Sequence, residues 1–195
     1  IIPSIIMAQM PDSCRITLDS AQTTRYFDCH GDSTGDWVSF GAEEGHDISA
    51  LMNQLSIDKY DLMGFSLGAS AGLHIASLDK RVNNLVIVSP MHSLRQTIPK
   101  FVKQSPKWLG KLVESRKESA LARANDISGY SYEQTSDSVS AARLITKPVL
   151  FIYGSIDKMS DQRLNTLLSK QGSQKNKLYQ LDGLRHTHVL LHQSA

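Results

Sequence analysis

Two long apolar runs constrain the fold of this chain more than any other feature of its sequence. Residues 82–90 read VNNLVIVSP, and residues 147–157 read KPVLFIYGSID. A strand that is apolar along almost its whole length is typical of a parallel sheet that helices cover on both faces. The two runs therefore predict buried strands of such a sheet.

Predicted helices alternate with predicted strands along most of the chain. Further strands are predicted at residues 3–8, 23–29, 59–65 and 177–183. Helices are predicted at residues 43–55, 66–78 and 161–170, and a last one from about Thr187. This alternation predicts an α/β fold with a mostly parallel, open sheet and flanking crossover helices. Residues 91–143 interrupt the pattern with a polar, basic and helix-prone insertion.

Composition places the chain among ordinary globular proteins. Its 195 residues and 41% hydrophobic content suit a single domain, residues 1–195, with a real core. A net charge of +2 gives no general case for nucleic acid or an anionic membrane as a partner. No apolar run reaches the roughly 18 residues that span a bilayer, and no signal pattern opens the chain. With only Cys14 and Cys29 as cysteines, we expect a soluble, cytoplasmic protein without a disulfide framework.

The stretch DLMGFSLGASAG, residues 61–72, places Ser66 between Gly64 and Gly68. A serine between a strand and the helix that follows sits on a sharp turn, with its hydroxyl above the carboxyl end of the sheet. The residues two positions before and after are then expected to be small. These residues could also be packing residues of a tight crossover, but the strand before and the helix after favour a nucleophile.

A serine nucleophile needs a base and an acid that orients the base. In this architecture the acid and then the histidine follow the serine along the chain, each after a later strand. Asp157 lies four residues past the apolar strand VLFIY, residues 149–153, and fits the place of the acid. Asp161 and Asp182 compete with it, although Asp161 also suits a helix start and Asp182 precedes Gly183.

His186 follows the last predicted strand and fits the place of the base. His188 and His192 are its competitors, and His188 is the alternative base that we keep. His186 is favoured because it leaves the following helix free to begin after it. The remaining histidines are expected to be structural or exposed, although His30 and His92 could line the mouth of a site at the strand ends.

Together, four stretches resemble the α/β-hydrolase family. They are YFDCHGDSTG at residues 26–35, GFSLG at 64–68, ITKPVLFIYGSID at 145–157 and LDGLRHTH at 181–188. The likeness runs from about residue 3 to the end of the chain. It implies hydrolysis of an ester, thioester or amide through an acyl-serine intermediate. Ser66, Asp157 and His186 would then be the catalytic triad, with no metal or organic cofactor.

The chain departs from the family pattern at the loop that helps to bind the oxyanion. The family usually has a His-Gly pair there, and this chain has Ala8-Gln9-Met10-Pro11. Leu67 can supply one N–H, and the second must come from Gln9 or Met10, because proline has no N–H. The first two strands of the family also have no counterpart, so the chain is either a compact member or part of a longer protein.

The insertion at residues 91–143 occupies the position of the family's helical cap, which shapes the substrate pocket. It carries a basic run of Lys100, Lys103, Lys107, Lys111, Arg116 and Lys117. A solvated helix face explains this run most simply, and attraction of an acidic substrate or acyl carrier is the alternative. The sequence therefore predicts a serine hydrolase for a small ester or thioester. An acyltransferase on the same triad and a non-catalytic binding protein are the other hypotheses.

Overall fold

The computed structural model describes residues 39–103, 107–129, 131–132 and 137–191. The strands predicted at residues 3–8 and 23–29 lie outside these ranges, and so do both cysteines.

The sheet is parallel, as the sequence predicts. In the described part of the chain it has four strands, β1 (Tyr60–Phe65), β2 (Val82–Val88), β3 (Val149–Gly154) and β4 (Lys177–Leu181), in the order β1-β2-β3-β4. Phe65 pairs with Val88, and Val88 pairs with Ile152. The carboxyl ends of β1, β2 and β3 therefore lie side by side at one edge of the sheet.

Helices connect and flank these strands. They are α1 (Ala42–Gln54), α2 (Leu67–Leu78), α3 (Leu94–Val102), α4 (Lys107–Ser128), α5 (Ser138–Leu144), α6 (Gln162–Ser169) and α7 (His188–Leu191). The helices predicted at 43–55, 66–78 and 161–170 thus agree with α1, α2 and α6 to within one residue at each end. Side chains cap two of the helices: Asp137 accepts hydrogen bonds from the first turn of α5, and Asp161 does the same for α6.

The core lies around the two central strands. Phe151 of β3 and Ile87 of β2 are fully buried, and so are Leu73 of α2 and Leu168 of α6. This burial explains why the two apolar runs carry so few polar residues. The core cluster also contains Val139, Ala141 and Ala142 of α5.

The position of α5 divides the insertion predicted at residues 91–143. Its last helix, α5, packs into the core with α2, whereas α3 and α4 pack against each other. Among the described residues, the core cluster has no member from α3 or α4. That pair is therefore the part of the insertion to which the predicted cap can correspond, and the cap itself stays a prediction.

An ion pair between Asp79 and Arg81 joins α1 to the amino-terminal edge of the sheet. Arg81 Nη2 lies 2.7 Å from Asp79 Oδ2, and the same guanidinium donates to the backbone oxygen of Ser49 and to the Asn53 side chain. The Tyr60 hydroxyl also donates to Asp79, over 3.0 Å. Hydrogen bonds from Arg81 outweigh burial and lower the pKa of Asp79 to about 2. The carboxylate is therefore held in its charged form.

Within the described ranges, every helix is too short or too polar to cross a membrane.

Candidate active site

Ser66 occupies the sharp turn between β1 and α2. Its backbone dihedrals are φ 56° and ψ −116°, a combination that non-glycine residues rarely adopt. The turn is held by the Ser66 N–H, which donates to the Val88 carbonyl over 2.9 Å. The Ser66 carbonyl accepts from the N–H groups of Ala69 and Ser70, at 3.1 and 3.2 Å. The adjacent strand and the first turn of the helix thus fix the strained residue.

The two glycines around Ser66 are not equivalent. A Cβ atom at Gly64 would overlap the Gly68 carbonyl oxygen and lie 2.7 Å from the Ala69 Cα atom. The turn therefore requires glycine at position 64, where the sequence predicts a small residue. A Cβ atom at Gly68 would meet no heavy atom of the described residues within 4 Å. Within the described residues, lack of space therefore does not explain the small residue that the sequence predicts at position 68.

His186 lies in the loop after β4, within hydrogen-bonding distance of Ser66. Its Nε2 atom is 2.7 Å from Ser66 Oγ, and its Nδ1 atom is 2.8 Å from Asp157 Oδ2. The Phe65 ring lies against the imidazole, with 5.2 Å between ring centroids and 34° between ring planes. The structure therefore brings together the serine, the histidine and the aspartate in the order expected from the sequence.

Asp157 lies in the loop after β3, and both of its carboxylate oxygens are engaged. Oδ1 accepts hydrogen bonds from the N–H groups of Met159 and Ser160, at 2.8 and 2.9 Å, and Oδ2 faces His186. The side chain is completely buried. Because a buried carboxylate needs hydrogen-bond donors, the two N–H groups both stabilise it and fix which oxygen faces the imidazole.

The competing carboxylates have other partners. Asp161 begins α6 by accepting a hydrogen bond from the Leu164 N–H over 2.9 Å, and it binds Lys100 at the same distance. Burial raises the pKa of Asp161, but the Leu164 N–H and the Lys100 ammonium outweigh it and lower the pKa. Asp182 is exposed and accepts a hydrogen bond from Gln180.

Of the competing histidines and the predicted oxyanion donors, the structure describes only His188 and Leu67. His188 is exposed at the start of α7, and its backbone N–H donates to the Arg185 carbonyl. Leu67 directly follows Ser66 at the first position of α2, where a backbone N–H is available for an oxyanion. The other predicted donors, Gln9 and Met10, lie outside the described residues, as do His30 and His192.

Two further histidines are buried or partly buried. His74 is buried in α2, and burial lowers its pKa. His92 follows β2, its Nε2 atom is 3.9 Å from Asp137 Oδ1, and burial lowers its pKa as well. In the ranges described, no three side chains of His, Cys, Asp or Glu are grouped in a way that could hold a metal ion.

Sequence reasoning missed three residues around Asp157. Lys100 of α3 and Asn165 of α6 bond to the loop that carries Asp157, and Met159 supplies the carbonyl of the peptide group that lies between Lys100 and Asp157. The only sequence signal was an asparagine on the apolar side of a predicted helix. Lys100 stood within a basic run with nothing to mark it.

Comparisons with known proteins agree with this architecture. A family model described as alpha/beta hydrolase fold matches residues 30–126. A comparison with curated protein sequences gave no significant match.

Several solved structures share the fold. The Pyrococcus furiosus esterase Pf2001 is 21% identical, with a TM-score of 0.62 over 85% of this chain and 63% of its own. An enol-lactonase from Burkholderia xenovorans LB400 is 20% identical, with a TM-score of 0.57 over 83% of this chain and 72% of its own. A hydrolase from Pseudomonas aeruginosa PA01 is 19% identical, with the same TM-score over 84% and 72%. At such identities the likeness shows the fold alone. The chain spans less than two thirds of the length of the Pyrococcus esterase.

Proposed function

Given that this chain has the α/β-hydrolase fold, we propose that it is a serine hydrolase that cleaves a carboxylic ester through an acyl-serine intermediate. The observation that carries the proposal is the pair of hydrogen bonds that joins Ser66 to His186 and His186 to Asp157, at 2.7 and 2.8 Å. The two bonds join a nucleophile, a base and an acid. The topology supports the proposal as well, because each residue follows the end of a different parallel strand.

The proposed mechanism assigns one role to each residue. Ser66 Oγ attacks the carbonyl carbon of the ester, and His186 Nε2 takes the hydroxyl proton. Asp157 accepts the Nδ1–H hydrogen bond and stabilises the imidazolium. His186 then gives the proton to the departing alkoxide, which leaves Ser66 acylated. Water attacks the acyl-serine with His186 again as base, and release of the acid regenerates the serine. A thioester would react by the same steps, with a thiolate as the leaving group.

The tetrahedral intermediate carries a negative oxygen that needs hydrogen-bond donors. We assign one donor to the N–H of Leu67, which directly follows the nucleophile, and the other to Gln9 or Met10. Loss of one such donor costs on the order of 3 kcal/mol of transition-state stabilisation. The second donor therefore decides how fast the enzyme is.

We assign the cap to α3 and α4, which pack against each other outside the core cluster. Two lysines of the basic run pair with carboxylates of this chain. Lys100 binds Asp161 at 2.9 Å, and Lys117 lies 3.9 Å from Glu118. Glu118 also pairs with Arg95, so only the charge of Lys100 has a carboxylate of its own, and this weakens the case for an acidic acyl carrier at that lysine. A small-molecule ester is the substrate class that we favour.

Substitution of the nucleophile tests the proposal. Ser66→Ala should lower kcat on a p-nitrophenyl ester by a factor on the order of 10⁶ and abolish labelling by a fluorophosphonate. Ser77→Ala is the matched control, because it removes a serine hydroxyl from the far end of the same helix. It should keep both the activity and the labelling. Comparable turnover by the Ser66→Ala and Ser77→Ala proteins would overturn the proposal.

A further inference from the structure

The loop between β3 and α6, residues 155–161, carries Asp157 and is called the acid loop below. Its backbone bonds to the neighbouring histidine segment through the Ile156 N–H, which donates to the Leu184 carbonyl over 3.2 Å. The Asp157 N–H turns back to the Gly154 carbonyl over 3.0 Å. The position of the carboxylate therefore depends on how the rest of this loop is held.

The peptide group that joins Met159 to Ser160 lies between Asp157 and a lysine of α3. Its carbonyl oxygen, that of Met159, accepts from Lys100 Nζ over 3.0 Å, and its N–H, that of Ser160, donates to Asp157 Oδ1 over 2.9 Å. A hydrogen bond from a charged donor is stronger than a neutral one. It also polarises the peptide so that its N–H becomes a better donor to the carboxylate. Lys100 thus acts on Asp157 through a single peptide group.

The same ammonium also binds the far end of the acid loop. Lys100 Nζ lies 2.9 Å from Asp161 Oδ2, while Asp161 Oδ1 accepts from the Leu164 N–H at the start of α6. The loop is therefore held at two points, one on each side of Ser160. The Lys100 side chain is 24% exposed, so water competes only in part for these bonds.

A buried asparagine of α6 holds the intervening segment. Asn165 Nδ2 donates to the carbonyl and the hydroxyl oxygen of Ser160, at 3.0 and 2.9 Å, and to the Asp161 carbonyl at 3.0 Å. Ser160 in turn donates its N–H to Asp157 Oδ1. Asn165 is fully buried within the fold, whereas Lys100 belongs to α3, outside the core cluster. The acid loop is thus supported from the core by one residue and from the insertion by the other.

We propose that Lys100 is a positioning residue for Asp157, which holds the acid loop through the Met159 carbonyl and Asp161 and so couples α3 to the catalytic carboxylate. The claim that Lys100 positions Asp157 for catalysis rests on the proposed serine hydrolase function. The claim that Lys100 holds the acid loop does not. Lys100 touches no reacting atom, so its loss should change the orientation of the triad rather than the binding of substrate.

Substitution of Lys100 tests both parts. Lys100→Met removes the ammonium and keeps most of the side-chain length, and Lys103→Met removes an exposed lysine just beyond α3 as the matched control. Amide hydrogen exchange in residues 155–161 should become about ten-fold faster in Lys100→Met, because two hydrogen bonds to the loop are lost. On a p-nitrophenyl ester, kcat should fall by roughly 10- to 100-fold, the effect of a shift of about 1 Å in a catalytic group. KM should stay within about two-fold of the wild type.

Two further variants separate positioning from general loss of structure. Lys100→Arg keeps a charged donor and should restore most of kcat. Asp161→Asn keeps the oxygen that begins α6 and weakens only the ion pair. Amide hydrogen exchange in residues 155–161 should therefore become about three-fold faster, and kcat should fall by about three-fold. This variant remains informative if Lys100→Met does not fold.

The outcomes distinguish this inference from the proposed function. Unchanged exchange in residues 155–161 of Lys100→Met would overturn the proposal that Lys100 holds the loop. Faster exchange with unchanged kcat, or an equal loss of kcat in Lys103→Met, would overturn its role in positioning Asp157. A wild-type protein that neither hydrolyses esters nor reacts with a fluorophosphonate would refute the serine hydrolase, and the exchange data would still decide whether Lys100 holds the loop.

Discussion

The hydrogen bonds of Asp157 predict what an asparagine at this position would do. Oδ1 of Asp157 faces two N–H donors, from Met159 and Ser160, and Oδ2 faces Nδ1 of His186. In Asp157→Asn the amide oxygen must take the place of Oδ1, because an NH₂ group there would point its hydrogens at two donors. The NH₂ group therefore faces His186.

An NH₂ group beside Nδ1 forces the imidazole into the wrong tautomer. Nδ1 must then accept a hydrogen bond, so the ring proton moves to Nε2, which lies 2.7 Å from Ser66 Oγ. An Nε2–H group cannot take the serine proton. The same substitution in a serine protease lowers kcat by about 10⁴ with its geometry intact, which corresponds to about 5 kcal/mol of activation free energy. We expect a loss of that order here.

The assay is the steady-state hydrolysis of a p-nitrophenyl ester, with thermal unfolding measured in parallel. Asp182→Asn is the matched control, because it makes the same change at an exposed carboxylate near the histidine loop, and it should keep its rate. The folded Asp157→Asn protein should lose kcat and keep its unfolding temperature to within a few degrees. A kcat within ten-fold of the wild type, or a larger loss in Asp182→Asn, would refute the reasoning from these hydrogen bonds.

Two predictions concern stability. Gly64→Ala should destabilise the protein by ~3 kcal/mol or more, because its methyl group would overlap the Gly68 carbonyl. Gly68→Ala should be tolerated in a denaturant titration, and equal losses in the two variants would contradict the argument. The pKa of Asp79 is lowered in the folded state, so its stabilising effect is present above the unfolded pKa of about 4 and is lost as the pH falls towards 2. Between about pH 5 and pH 2 the wild type should lose about 2 kcal/mol of unfolding free energy that Asp79→Asn does not lose, and parallel pH curves for the two proteins would contradict this.

The site could be predicted from the sequence because a parallel sheet aligns the ends of its strands. Ser66 directly follows β1 and Asp157 lies three residues after the end of β3, and the register pairs Phe65 with Val88 and Val88 with Ile152. Residues that are far apart in the chain are thereby brought to one edge without any detailed knowledge of packing. Hydrophobic periodicity and the positions of the strand ends are therefore sufficient to predict that these residues lie at one edge of the sheet.

Contacts that depend on side-chain packing between distant segments could not be predicted. The sequence assigns residues 138–143 to the insertion because they follow a polar stretch, yet Val139, Ala141 and Ala142 complete the core. Their small side chains suit close packing against α2. A hydropathy pattern does not distinguish a helix packed in this way from an exposed one. The bond from Lys100 to Met159 joins segments that no periodic pattern relates.

Gly154 explains why the acid and the histidine segments meet. The sequence YGSID predicts only a turn at the end of a strand. In the structure, a Cβ atom at Gly154 would overlap the Leu184 carbonyl oxygen and lie 3.1 Å from a Val189 methyl carbon, so glycine permits the backbone that precedes His186 to lie directly against the end of β3. The Ser155 hydroxyl then accepts the Gly183 N–H over 2.8 Å. Backbone contact between the two loops, and not the Asp157 to His186 bond alone, therefore sets the distance between these two side chains.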